Sequence, residues 1–451
     1  MTTETKETLD RRTVLGGVGA ALGAALVLPG SSRAQSGRKP FDGVTLNVSC
    51  WNGPYPRFLA EYIPEFEAAT GAKVNYDTPA FPVFNQRADL ELSTGGSAFD
   101  VLNVTFIYSS RWIRAGWLTP LDGFIADRQK TPADWDGADF LAGLTSSMRD
   151  QQGRLHGIPW IADTFMVGTP RRDLIAATGL GMPDTFDEVR TLCQRLQGRT
   201  GGVPPFVTEN NYGWTFIPWL QGFGGNVFRA PPDDLFPTLD SPEAVAAAEF
   251  FTALLREHAP SGVISMNYDQ VAQMLKQGRA VYSPNGLPYL MQMAASDSRV
   301  AQTAGFSMMP AGPKGRFPGV GVHGWGIPAG AKNKDASWAF IQWSMSKALV
   351  QRMLVEKSYT AVTRRSAIES AEFKKQMTVN GQDLSGLYRQ TIDQAASGYM
   401  SYRTVPQFPP LNRIIAIAIE EMVSGQSNAR DAMRRAQESA LAELRRSGTK
   451  L

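Results

Sequence analysis

Trp51, Asn52, Tyr55, Phe106 and Tyr108 are the side chains whose types and placement best suit ligand recognition in this sequence. Four aromatic rings and one amide follow two runs that read as strands, Val44–Ser49 and Phe99–Thr105. In open α/β sheets, ligands bind outside the carboxyl ends of the strands. Flat rings stack on weakly apolar faces, and amides hydrogen-bond to hydroxyls, so such a set suits binding more than bond-breaking. Catalytic patterns are scarce: there is no Gly-x-Ser-x-Gly, no His-Glu-x-x-His and no Walker loop. The carboxylates Asp100, Asp163 and Glu209 could form a glycosidase-type pair, whose separation depends on the fold. His156, His258 and His323 are widely scattered, as are Cys50 and Cys193, so no metal site and no cofactor are expected.

These residues need elements to hold them. After the first strand and its aromatic loop, Arg57–Thr70 has helical periodicity and Gly71 stands at its end; Lys73–Tyr76 begins a further strand. Strand, helix, strand predicts a parallel sheet with a crossover helix. Asp89–Thr94 closes a second helix. Extended pieces follow at Leu155–Trp160 and Thr164–Gly168, a helix at Asp187–Leu196, and a strand at Ala280–Ser283. Ser241, Pro242 and Glu243 are the cap, first turn and favourable charge of another helix. Asp269–Gln277, Ala336–Ser346 and Ala348–Glu356 read as helices, and Pro410–Leu444 as helix with a break near Ser424-Gly425. Tyr212–Phe223 is aromatic and shows little helical pattern. The two cysteines are expected as buried free thiols, with a disulfide as the alternative.

Residues 1–34 have the order of an export signal. Arg11-Arg12 precedes an apolar, glycine-rich run ending near Leu28, and Ser32-Arg33-Ala34 forms a small-x-Ala cleavage site. The arginine pair points to the twin-arginine route, although Val14 stands where such signals usually carry Phe. Cleavage after Ala34 leaves 451 − 34 = 417 residues, enough for two domains, in the periplasm. It removes four basic and three acidic residues, so the net charge of +3 becomes +2. A chain so near neutrality is not expected to bind nucleic acid.

Several local strings stand in a fixed order. They are Gly116-Trp-Leu-Thr-Pro-Leu-Asp122, Gly153-Arg-Leu-His-Gly-Ile-Pro159, Met182-Pro-Asp-Thr-Phe-Asp-Glu-Val189 and Gly224-Gly-Asn-Val-Phe228. Asp240-Ser-Pro-Glu-Ala-Val245, Gln277-Gly-Arg-Ala280 with Asn285-Gly286, Gly324-Trp-Gly-Ile327 and Ala331-Lys-Asn-Lys-Asp-Ala336 complete the series. Together they resemble the family 1 extracellular solute-binding proteins of ABC transporters, the maltose-, glycerol-phosphate- and polyol-binding group. Val101–Trp117 most resembles the polyol and monosaccharide branch. The resemblance implies an α/β fold of two hinged lobes around a ligand cleft, with the chain crossing between lobes near Ile161–Phe165, Gly319–His323 and Tyr359–Val362. It implies a first lobe of 35–162 and 323–360 and a second of 163–322 and 361–451. It also implies a monomer that captures a sugar or polyol and delivers it to membrane permease subunits. The alternatives are an exported carbohydrate-active enzyme and a ligand sensor on the same fold.

Beside the implied crossings stand Trp160 with Asp163, Asn285 with Tyr289, and His323 with Trp325; Trp214 lies in the aromatic segment. Each tryptophan is either a stacking surface or core. Asp163 is a ligand contact or a hinge hydrogen-bonder, Asn285 a ligand contact or a turn former, and Arg364 a clamp or a surface residue. Val167-Gly-Thr-Pro-Arg171 replaces the family's common Tyr-Tyr-Asn-Lys, and Tyr289 follows Asn285-Gly-Leu-Pro288 where family members often carry Trp. The resemblance therefore carries over no particular sugar.

Overall fold

The computed structural model describes residues 38–164, 166–231, 233–284, 292–396 and 405–451. The export segment, Asn285 and Tyr289 lie outside the described residues. The chain opens as expected, with β1 (Thr45–Ser49), α1 (Pro54–Thr70), β2 (Lys73–Asp77), α2 (Phe81–Ser93) and β3 (Val101–Val104). β1 pairs in parallel with both β2 and β3. Gly71 ends α1 at φ 80°, a left-handed conformation in which its N–H caps the carbonyl of Glu67. Helices elsewhere start where the sequence supplies caps. Thr185 and Glu188 form a capping box for α3 (Phe186–Leu196), and the Ser241 hydroxyl caps α4 (Pro242–His258).

The five-stranded sheet is mixed rather than wholly parallel. Its last two strands are β4 (Ile158–Thr164) and, from much later in the chain, Val320–Gly326, which inserts between β3 and β4. That late strand pairs antiparallel with both neighbours, setting Asn103 opposite Trp325, Ile161 opposite His323 and Asp163 opposite Gly321. The run Gly319-Val-Gly321-Val-His-Gly324 spells Gly-x-Gly-x-x-Gly, but it leads into and lies within this strand instead of at a strand-to-helix turn, so it builds no dinucleotide fingerprint. A smaller antiparallel pair, β5 (Met166–Thr169) with β6 (Gly305–Met308), stands as a separate two-stranded sheet; the late strand is β7. Ala280–Ser283 makes single bridges at Tyr282 and Ser283 instead of a full strand.

Two buried clusters divide the molecule. The first surrounds the five-stranded sheet and takes in α1, α2, α6 (Lys334–Ser344) and α7 (Lys347–Lys357), then reaches across the crossings to Val271 and Leu275 of α5 (Tyr268–Lys276). The second joins α3, α4, α9 (Phe408–Val423) and α10 (Ala429–Arg446). Residues 361–395, which sequence reasoning gives to the second lobe, pack in the first cluster, and α8 (Ser385–Ala396) contacts β4, β5, β6 and β7. Tyr212–Phe223 contains two short helices, Tyr212–Thr215 and Ile217–Gly222. Every residue of both is buried, so no polar face exists to reveal a helical period. Cys50 and Cys193 are buried and free, and burial raises both thiols, that of Cys193 to about 12, so both are unreactive.

Arg364 is neither a clamp nor a surface residue. Fully buried, it donates to the carbonyls of Met345 (2.7 Å), Asp136 (3.1 Å) and Trp135 (2.9 Å) and to the Asp139 carboxylate (3.1 Å). Its guanidinium also lies 4.2 Å from the centre of the Phe140 ring. Asp139 accepts in addition from the backbone N–H and hydroxyl of Ser366. Breaking a buried pair strands a charge in a medium that solvates it poorly. Arg364→Met should therefore cost about 3–5 kcal/mol of folding stability in urea melts, with the folded fraction keeping wild-type ligand affinity.

Candidate functional site

The three expected crossings lie side by side. β4 and β7 pair through Thr164 and Val320, and the segment after Tyr359 joins β4 where the Ala162 N–H bonds the Ala361 carbonyl (3.0 Å) and the Thr363 hydroxyl bonds the Pro159 carbonyl (2.8 Å). This joint holds the site at the carboxyl ends of β1 and β3.

His323 is the centre of an aromatic cage. Trp51 lies 5.4 Å from its ring, Phe106 5.4 Å and Phe81 6.1 Å, centre to centre. Trp51 folds over the start of α1, which requires Gly53: a Cβ there would stand 2.1 Å from the indole. Gly321 serves similarly, since a Cβ on it would meet the Phe106 ring at 3.0 Å. Phe106 crosses to the second lobe, where it faces Trp214 at 4.7 Å. Tyr108 stacks on Trp112 at 5.4 Å. The exposed Asn52 accepts from Arg57 at 2.9 Å, at the rim of this group.

A second group surrounds Asp163. Tyr55 hydrogen-bonds the Thr360 hydroxyl at 3.2 Å and meets Tyr359 edge-on at 5.2 Å. Burial raises the Tyr55 and Tyr268 phenols, and the Asp163 charge adds to both shifts; Glu209 contributes at Tyr268. Tyr388 feels the same carboxylate after burial and its tyrosine neighbours, and donates to the Val362 carbonyl at 2.7 Å. Asp163, on β4 opposite Gly321, is thus near enough for its charge to bear on three buried phenols. Asp100 does not join it: its carboxylate accepts from the backbone of Asn47 and from Asn333, latching β1 to the start of α6. No cluster of metal-ligating side chains occurs among the described residues.

Trp160 and Trp325 stack on each other at 4.5 Å and are almost wholly enclosed. They form the floor beneath the cage, so their stacking faces are spent in the core. Sequence reasoning missed Asn103, Phe81, Tyr268, Tyr359 and Tyr388 as site residues. Asn103 carried a signal, being a polar residue in the apolar run Val101-Leu-Asn-Val104, all of it buried. Phe81 did not, because the start of α2 was not legible.

His323 is almost fully buried, and burial pushes its ring down to about 3 from the ordinary 6.5. An unfolded chain then binds the proton at a higher pH than the folded one, so stability falls as pH drops from about 6.5 towards 3, at roughly 1.4 kcal/mol per pH unit. His258, also lowered by burial, adds to the same trend. Thermal melts between pH 7 and 4 should show this slope, and His323→Asn should reduce it, leaving the share of His258.

Known proteins share this architecture. The mannitol-binding protein of Pseudomonas aeruginosa is 24% identical over 81% of this chain and 85% of its own length. The erythritol/L-threitol-binding protein of Mycolicibacterium smegmatis is 23% identical over 93% of this chain and 94% of its own. The crystal structure of an Agrobacterium radiobacter ABC transporter solute-binding protein in complex with ribitol superposes with a TM-score of 0.80, at 21% identity, covering 89% of this chain and 99% of that one. The family model described as bacterial extracellular solute-binding protein matches residues 52–350, more than half of the chain, and this protein belongs to that family.

Proposed function

We propose that this protein is the periplasmic binding component of an ABC importer for a polyol or small sugar, released from its export signal after Ala34. As a monomer it closes its lobes on the ligand and delivers it to permease subunits. The observation that carries this reading is the pairing of an aromatic cage, Trp51, Phe81 and Phe106 around His323, with an Asp163 cluster at the joint between lobes. Rings accept the C–H faces of a polyol, while a carboxylate and phenols satisfy its hydroxyls. The names of the relatives, which bind mannitol and erythritol or L-threitol, favour the same ligand class. The ligand contacts are assigned to Trp51, Asn52, Tyr55, Phe106, Tyr108, Asp163, Trp214 and His323, and Asn285 and Tyr289 remain candidates from the sequence alone. The lobes meet at Asp163 and at Gly321, and residues 361–396 count with the first. The protein is not an enzyme in this reading, and a turnover assay on glycosides should detect no product.

Calorimetry with ribitol, D-mannitol, erythritol and maltose should find a ligand, and scattering should show the radius of gyration fall on its addition. Asp163→Ala should weaken binding by roughly 1–3 kcal/mol while the fold persists, because ligand hydroxyls lose their acceptor in a dry cleft. Wild-type affinity in that variant would place the cleft elsewhere.

Export is tested separately. Arg11→Lys with Arg12→Lys should hold the precursor in the cytoplasm, because the signal is read through that pair. N-terminal sequencing of the exported protein should begin at Gln35, and normal export of the double variant would refute the twin-arginine route.

A further inference from the structure

The indole N–H of Trp160 donates to Asn103 Oδ1 at 2.8 Å, and Asn103 Nδ2 stands 3.3 Å from His323 Nδ1. An indole nitrogen only donates, so it fixes which end of the Asn103 amide is oxygen. The NH2 end then faces His323, and an amide nitrogen only donates. Nδ1 must therefore be the lone-pair nitrogen, and the proton of the neutral ring sits on Nε2. Among the described residues Nε2 has no hydrogen-bond partner, and it is not one of the fully enclosed unpartnered side-chain atoms, so it keeps access to the space inside the cage. Three aromatic rings surround it. A donor with access to that space can bond a ligand oxygen.

We propose that His323 is a fixed donor to a ligand oxygen, and that Asn103 and Trp160 are positioning residues that set its tautomer. This rests on the ligand reading above and adds a selection rule. A nitrogen held as N–H donates to a hydroxyl, carbonyl or ring oxygen and rejects an ammonium or any other pure donor at the same point. The relay also keeps the ring neutral: protonating Nδ1 would set an N–H against the amide N–H. The groups facing the ring are Trp51 from the β1 loop, Phe81 from α2, Asn103 and Phe106 from β3 and its end, and Ile161 from β4; the carboxylate of the paired strand, Asp163, stands opposite Gly321. Apart from Asp163, none of these carries a charge.

Long-range 1H–15N spectra of the ligand-free protein, with histidine labelled, test the relay without any ligand. His323→Gln identifies the resonances among the three histidines. The expected result is the Nε2–H pattern from pH 8 to 4.5 with no titration. The Nδ1–H pattern, or titration near 6.5, overturns the proposal. In Asn103→Asp the carboxylate can only accept, so Nδ1 should gain a proton and His323 should begin to titrate between pH 5 and 8. An unchanged spectrum in that variant also overturns it. Trp160→Phe keeps a ring in the floor but frees the amide to flip, and should show both tautomers; a single unchanged tautomer counts against the relay. Calorimetry with ribitol and D-mannitol adds the functional arm. His323→Phe should bind roughly tenfold more weakly, and Asn103→Asp should make affinity depend on pH where the wild type is flat. Binding equal to wild type in His323→Phe overturns the donor role. Failure of the wild type to bind any polyol would refute the ligand class, while the spectra would still decide the tautomer.

Discussion

The pairing of β7 between β3 and β4 is the constraint on which the molecule depends. One seven-residue strand supplies Gly321, His323 and Trp325 to one face of the sheet, because alternate residues share a face. Gly321 makes room for Phe106, His323 forms the centre of the cage, and Trp325 lies beneath it against Trp160. The same strand brings a late segment of the chain back between two early strands. Cage, core and joint are therefore three uses of a single register, and a slip of one residue would exchange all of them for Val320, Val322 and Gly324.

Charge is handled differently at the two ends of the joint. Arg364 and Asp139 neutralise each other, with four guanidinium N–H groups bonded to three carbonyls and Asp139, and with Ser366 donating to Asp139. Around Asp163 the neighbours are phenols that burial keeps protonated. A carboxylate among neutral donors remains a strong acceptor, and His323, held neutral, adds a donor without a counter-charge. A cleft so equipped favours uncharged, polyhydroxylated ligands over ions.

Much of the frame was legible from local patterns. The strand–helix–strand opening, the Ser241 cap and the break between α9 and α10 each depend on residues within one or two turns of each other. The antiparallel insertion of β7 was not legible, since its partners are separated by the whole of the second lobe and a buried strand shows no alternation. The same cause misled the reading of Trp325 and Arg364. Both look available beside glycine or polar neighbours, and both are enclosed by segments distant in sequence. Trp51 and Phe106, grouped at strand ends by the sequence, both lie against His323, which the sequence had set beside a crossing with Trp325, because strand ends converge by topology, whatever their sequence separation.

The sheet order also has a consequence for cooperativity. Thr164 and Val320 are paired, so everything between them is a loop whose two ends must meet before β7 can enter the sheet. Closing a loop of that length in a disordered chain carries an entropic cost that rises with its length, and a folded second lobe removes that cost by holding the ends near each other. The first lobe's last strand thus forms under the second lobe's influence, and damage to the core around Trp219 and Phe251 should propagate to a sheet that neither residue touches. Two lobes joined in this way are, for folding, a single unit.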